Sequence, residues 1–112
     1  MRLVALLKDT KISPSDRLAV FALLCLGVIE SVANGLLNVA DAVRLFFHAD
    51  NCLFVRRQLR DKSADEIMGR GVQLQDLVEL LQGTEAKREL QSELTAMRSL
   101  CFKLLKRKKS VA

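Results

Sequence analysis

Apolar residues are distributed unevenly along this chain. Leu18 to Ile29 forms an unbroken apolar run of twelve residues, counting Gly27, with no polar face. A second wide apolar stretch extends from Val39 to Val55. Ahead of the first run, Ser13-Pro14-Ser15-Asp16 carries the marks of a helix start. Ser13 caps, Pro14 suits the first helical position, and Asp16 lies near the positive end of the helix dipole. The pattern predicts a helix from there to about Ala33. Asn34-Gly35 stops it, since both residues tolerate the left-handed conformation of a C-terminal cap. A short helix is predicted over residues 3–8.

Asn38-Val39-Ala40-Asp41 reads as the next start, with Asn38 as cap. That helix is expected to continue to Leu59 or Arg60, where Arg56, Arg57 and Arg60 meet the negative end of the dipole. Its polar stripe reads Asp41, Arg44, His48, Asn51, Gln58. Its apolar side reads Val39, Ala42, Val43, Phe46, Ala49, Leu53, widened by Leu45, Cys52 and Leu59. Ser63 and Glu66 match a capping box. The helix they open is expected to end near Gly69-Arg70-Gly71. Leu74, Leu77, Val78 and Leu81 then recur at helical spacing, Gly83 closes that segment, and Thr84 is expected to cap the next. The last helix, from about Glu85, has the cleanest periodicity. Leu90, Leu94, Met97, Cys101 and Leu104 are spaced 4, 3, 4, 3, an a/d seam broadened by Leu100 and Leu105. The seam covers barely two heptads, so it suits packing in a bundle better than a free-standing coiled coil.

No strand-like alternation and no internal repeat interrupts this pattern. Five Gly, one Pro, and no Trp or Tyr fit long helices with short connections. A chain of 112 residues supports one domain with one core. The expected fold is a single all-α bundle of four to five helices over residues 1–112, completed by oligomerisation, because half of the residues are hydrophobic. An all-round apolar helix in a lone four-helix bundle would leave surface wet at roughly 25 cal/mol per Å². Association buries it most simply as a symmetric dimer, and Leu18, Phe21, Leu24, Cys25 and Val28 are the expected interface. The Leu18–Ile29 run falls short of the ~20 residues of a membrane-spanning helix, and Arg17 and Glu30 flank it closely. No transmembrane segment is expected. Nor is a signal peptide: Lys8 and Asp9 follow the first apolar residues too early, and no small-residue cleavage site comes after them.

The net charge of +5 changes the picture less than a pI of 9.5 suggests. Lys103, Lys106, Arg107, Lys108 and Lys109 account for the whole excess, so the body is neutral and residues 106–112 read as a basic, frayed tail. Arg56, Arg57, Arg60 and Lys62 form a second basic cluster. Both clusters are candidate polyanion sites. Yet single-strand recognition adds exposed aromatics, and the five Phe lie in apolar runs. A helix end complementing its dipole and a solubilising tail explain the same residues.

Cys25, Cys52 and Cys101 are odd in number and widely spaced, which is no disulfide framework. They read as reduced, packed thiols of a cytosolic protein. His48, the sole histidine, lies four residues before Cys52, so the two would neighbour one another on one helix. A thiolate–imidazole pair or half a zinc site needs that neighbourhood. No Cys-x-x-Cys supports it, and a polar-face histidine beside a half-buried cysteine is the plainer reading. Asp61, Asp65, Glu66, Asp76, Glu79, Glu85, Glu89 and Glu93 read as a solvated acidic face. Gly69 and Gly71 lack the third glycine and the Lys-Ser/Thr of a phosphate loop. The expectation is a non-catalytic interaction or structural module without a cofactor. Its partner is a second copy or another protein, and a nucleic-acid-associated protein is the alternative.

Overall fold

The computed structural model describes residues 1–8 and 11–111, with side chains as far as Arg107. Six α-helices and no strand occur among the described residues: α1 Leu3–Leu7, α2 Pro14–Ala33, α3 Val39–Leu45, α4 Ala49–Phe54, α5 Lys62–Leu80 and α6 Gly83–Val111. A π-helical turn, Val55–Leu59, continues α4. The all-α expectation holds. At 1.5 Å per residue α6 is about 44 Å long, so it spans the 46 Å long axis of the molecule.

α6 packs along both α2 and α5, and these are the two largest contacts in the fold. Its seam is as the spacing predicts: Leu94, Met97, Cys101 and Leu104 are buried, with Leu90, Leu100 and Leu105 packed beside them. Two ion pairs tie the outer edges. Arg98 of α6 bonds Glu30 of α2. Arg70 of α5 bridges Glu66 one turn away and Glu93 of α6, each at 2.9 Å. The short helices α1, α3 and α4 fill the rest of the core.

Two helix starts are as read. The Ser13 hydroxyl accepts from the Asp16 amide at 3.2 Å, and Asn38 Oδ1 accepts from the Asp41 amide at 2.8 Å. Four later boundaries differ. The helix expected from Val39 to about Arg60 breaks after Leu45. Phe46 and Phe47 both turn inward and are buried. Phe46 lies parallel to Phe21 at 6.2 Å and edge-on to Phe47 at 5.1 Å. The break gives each ring its own neighbour: Phe46 meets Phe21, and Phe47 seats over Gly71 of α5. After the break the helical phase is reset. Ala49 and Leu53, expected inside, are exposed, and Asn51, expected on the polar stripe, is buried.

The second difference lies at the α5 start. Arg60 is left-handed at φ 49°, ψ 48°, which turns the chain so that Asp61 occupies the cap. Asp61 Oδ1 accepts from the Ala64 amide at 3.0 Å. Ser63, expected as the cap, is buried inside the first turn. The third difference is that α5 does not end at Gly69-Arg70-Gly71. A Cβ at Gly71 would overlap the Phe47 ring, whereas one at Gly69 would meet nothing. Gly71 is therefore a packing glycine inside a continuous helix. Gly83 is left-handed at φ 61° in the first position of α6, and Thr84 lies within that helix rather than capping it.

This packing predicts opposite signs for two nearby substitutions. Gly69→Ala should stabilise the protein by about 0.5–1 kcal/mol, because alanine is the better helix former. Gly71→Ala should cost about 1–3 kcal/mol, since overpacking against a buried ring outweighs the same helix gain. Urea melts of both variants measure this. Equal stabilisation by both would show that Phe47 does not seat on α5.

Candidate functional site

The His48–Cys52 pair does not assemble. His48 is the N-cap of α4, and both of its ring nitrogens are engaged. Nε2 lies 2.8 Å from the Met1 carbonyl, and Nδ1 lies 3.4 Å from the Asn51 amide. A carbonyl only accepts, so Nε2 carries the proton and Nδ1 accepts. Buried Asn51 completes this corner. Its Oδ1 accepts from the Leu3 amide at 2.8 Å. Its Nδ2 donates to Phe46 O at 2.8 Å and to Met1 O at 3.2 Å. These bonds fasten the chain start to the break before α4, which is a structural duty.

Cys52 is half-buried, and Cys25 and Cys101 are fully buried, all as free thiols. Burial pushes the Cys52 thiol up, Arg56 pulls it down and Asp65 pushes it up again, leaving it above its ordinary range. A thiolate nucleophile needs the reverse shift. Burial likewise pushes the Cys25 thiol up, and its hydrogen bond with Cys101 works in the same direction. Among the described residues no three His, Cys, Asp or Glu side chains converge as metal ligands.

The basic residues are rearranged by the fold. Arg56 and Arg57 are exposed but diverge. Arg56 lines a depression with Cys52 and Asp65, and Arg57 lines another with Arg2, Lys8 and Asp50. Arg60 turns back and donates to the Arg57 carbonyl at 3.1 Å. Lys62 opens α5. From the far end of the chain, Arg107 makes two bonds to Asp61, at 2.8 and 3.2 Å. The expected Arg56–Lys62 cluster is thus split, while its Arg60–Lys62 half is joined to the α6 end. Lys106 and Arg107 belong to α6. The side chains of Lys108 and Lys109 lie outside the described residues. Asp61, expected on a solvated acidic face, is only 11% exposed. Burial raises its carboxyl, but Arg107 and the Ala64 and Ser63 amides more than offset that, holding it below the usual range.

Two surface features remain. On α6, Ser99, Phe102, Lys103, Lys106 and Arg107 line an open depression of about 410 Å³. Phe102 is 47% exposed, while Phe21, Phe46, Phe47 and Phe54 are buried. The apolar-run argument therefore misses Phe102. The missed signal is its place one residue after Cys101, which the seam already points inward. The other feature is an apolar groove of about 370 Å³ beside α2, lined by Met1, Leu23, Leu24, Gly27, Val28 and Leu37 among others. Of the five expected interface residues, Phe21 and Cys25 are consumed by the core of this chain. Leu18, Leu24 and Val28 are only partly buried. Leu23, absent from that set, is 58% exposed.

Residues 14–112 match a family described as "Protein of unknown function (DUF3969)". The chain belongs to that family. No curated protein and no solved structure matches it. The DUF3969 match begins at Pro14, the first residue of α2. It therefore covers α2 to α6, including both the α2 side of the groove and the Phe102 depression, while α1 precedes it. No helix among the described residues is long and apolar enough to cross a membrane.

The Asp61–Arg107 contact has a pH signature. A carboxyl held low in the fold contributes stability that is complete above its ordinary pKa of about 3.9. That contribution is lost as pH falls through the lower folded value. Asp61→Asn keeps a capping oxygen and removes the charge. Wild type should exceed this variant in stability at pH 7, and the gap should close below about pH 4. Parallel stability profiles of the two proteins from pH 7 down to pH 2 would show that the charge plays no part.

Proposed function

We propose that the protein is a non-catalytic helical interaction module that pairs with a second copy of itself through α2. The observation that carries this reading is the self-complementary face beside the apolar groove. Leu23 protrudes, 58% exposed. One helical turn later Gly27 is open, with nothing within 4 Å of where its Cβ would be. A knob and a notch at i and i+4 lie on one helix face. About a two-fold axis, Leu23 of each copy fits the Gly27 notch of the other, which is the reciprocity that a symmetric dimer requires. Ser31, the next residue on that face, donates to the Gly27 carbonyl at 2.7 Å, so its hydroxyl is satisfied without a partner. Partly buried Leu24 and Val28 flank the contact, and exposed Met1 widens it. The three free thiols are in keeping with a cytosolic setting.

Sedimentation equilibrium of the full chain, from micromolar to near-millimolar concentration, tests the reading. The expected mass is about twice the 12.5 kDa of one chain. Leu23→Glu and Gly27→Leu, each made alone, should return the monomer. Gly27→Leu fills open space and should leave the monomer fold intact by circular dichroism. A wild-type monomer across the whole range would overturn the proposal. So would a dimer indifferent to both substitutions.

A further inference from the structure

The Phe102 depression lies on the C-terminal part of α6. Arg107 is bound to Asp61, and Asp61 lies between Arg60 and Lys62. The end of α6 is therefore held beside the link into α5. Lys103 and Lys106 line the depression with Arg107, and Phe102 offers an exposed ring among them. No acidic residue follows Glu93 in the sequence, so this half of α6 carries positive charge only.

We propose that this surface binds single-stranded nucleic acid, with a base stacked on Phe102 and phosphates on Lys103 and Lys106, which line the same depression. Two kinds of contact are required of such a site: cations that follow a backbone, and an exposed aromatic face that accepts any base. Both are present here. An anionic bilayer fits less well. A membrane-surface helix inserts its apolar face, and the apolar face of α6, Leu94, Met97, Cys101 and Leu104, is buried against the rest of the chain. One ring in a ring of cations leaves nothing else to insert. A duplex offers phosphates but keeps its bases stacked, so Phe102 would have no part in binding one.

The inference is independent of self-association through α2. The test is fluorescence anisotropy of the full chain with labelled single-stranded RNA, single-stranded DNA and a duplex of the same sequence. Flotation with vesicles of phosphatidylglycerol and phosphatidylcholine is run alongside. Both single strands should bind more tightly than the duplex, and binding should weaken as salt rises. The RNA and DNA arms show which strand is preferred. Phe102→Ala should weaken single-strand binding about five- to a hundredfold, with an unchanged melting temperature because the ring is exposed. Lys103→Gln should flatten the salt dependence by about 0.7 in the log–log slope. The proposal is overturned by no binding to either strand at low salt, or by equal affinity of Phe102→Ala and wild type. Binding confined to vesicles, or duplex bound as tightly as single strands, also overturns it.

Discussion

The fold depends on burying two adjacent phenylalanines. The helix that begins at Val39 stops at Leu45, and the two rings go to different neighbours, Phe46 to Phe21 and Phe47 to Gly71 of α5. Stopping a helix exposes carbonyls and amides that need partners. Asn51 and His48 supply them, bonding Phe46 O, Met1 O, the Leu3 amide and the Asn51 amide. The Phe47 ring then needs a place on α5, and the missing side chain at Gly71 provides it. The break before α4, the docking of α1 and the identity of a residue in the middle of a helix are thus tied to the seating of these two rings. An unpaired amide or carbonyl left at this corner would cost about 1–3 kcal/mol, so Asn51 is as much part of the core as the rings.

The large hydrophobic content has a similar explanation. α2 buries Phe21, Ala22, Cys25, Ile29 and Val32 because it meets α6 on one side and α1, α3 and the π turn on others. A helix touched from several directions needs apolar residues over most of its circumference. Much of the all-round character of Leu18–Ile29 is spent within the chain. What is left over is narrower than the sequence suggests, and it is concentrated at Leu23, Leu24, Gly27 and Val28.

Local signals were legible where neighbours in sequence decide the outcome. Ser13 and Asn38 announce their helices because a cap needs only its own amides three residues on. The α6 seam is legible because four buried residues at 3, 4, 3 spacing, with partly buried Leu90 one step before them, leave little choice of face. Boundaries set by distant residues were not legible. Ser63 and Glu66 match a capping box, yet Asp61 holds the cap, where the left-handed Arg60 turns the chain and Arg107, 46 residues away, bonds the same carboxylate. Gly69 and Gly71 look alike in sequence. Only the Phe47 ring distinguishes them, and its position depends on the break at Phe46. The candidate basic cluster failed as one unit for the same reason. Arg56 and Arg57 line separate depressions, while a long-range ion pair joins the α6 end to Asp61, which stands between Arg60 and Lys62.

Phe102 shows how packing turns a composition into a surface. Consecutive helical residues point about 100° apart, so a seam that takes Cys101 and Leu104 inward must send Phe102 outward. Exposing half an aromatic ring gives up burial at roughly 25 cal/mol per Å², and a lysine at the same place would not. The core gains nothing from the exposed half of the ring. Cations near the end of α6 complement the negative end of its dipole, an effect that fades beyond the last turn. That role asks for charge alone. Charge and an aromatic face side by side are what a nucleotide strand presents in mirror form, which is why the ring and not the net charge of the tail gives this surface its chemical character.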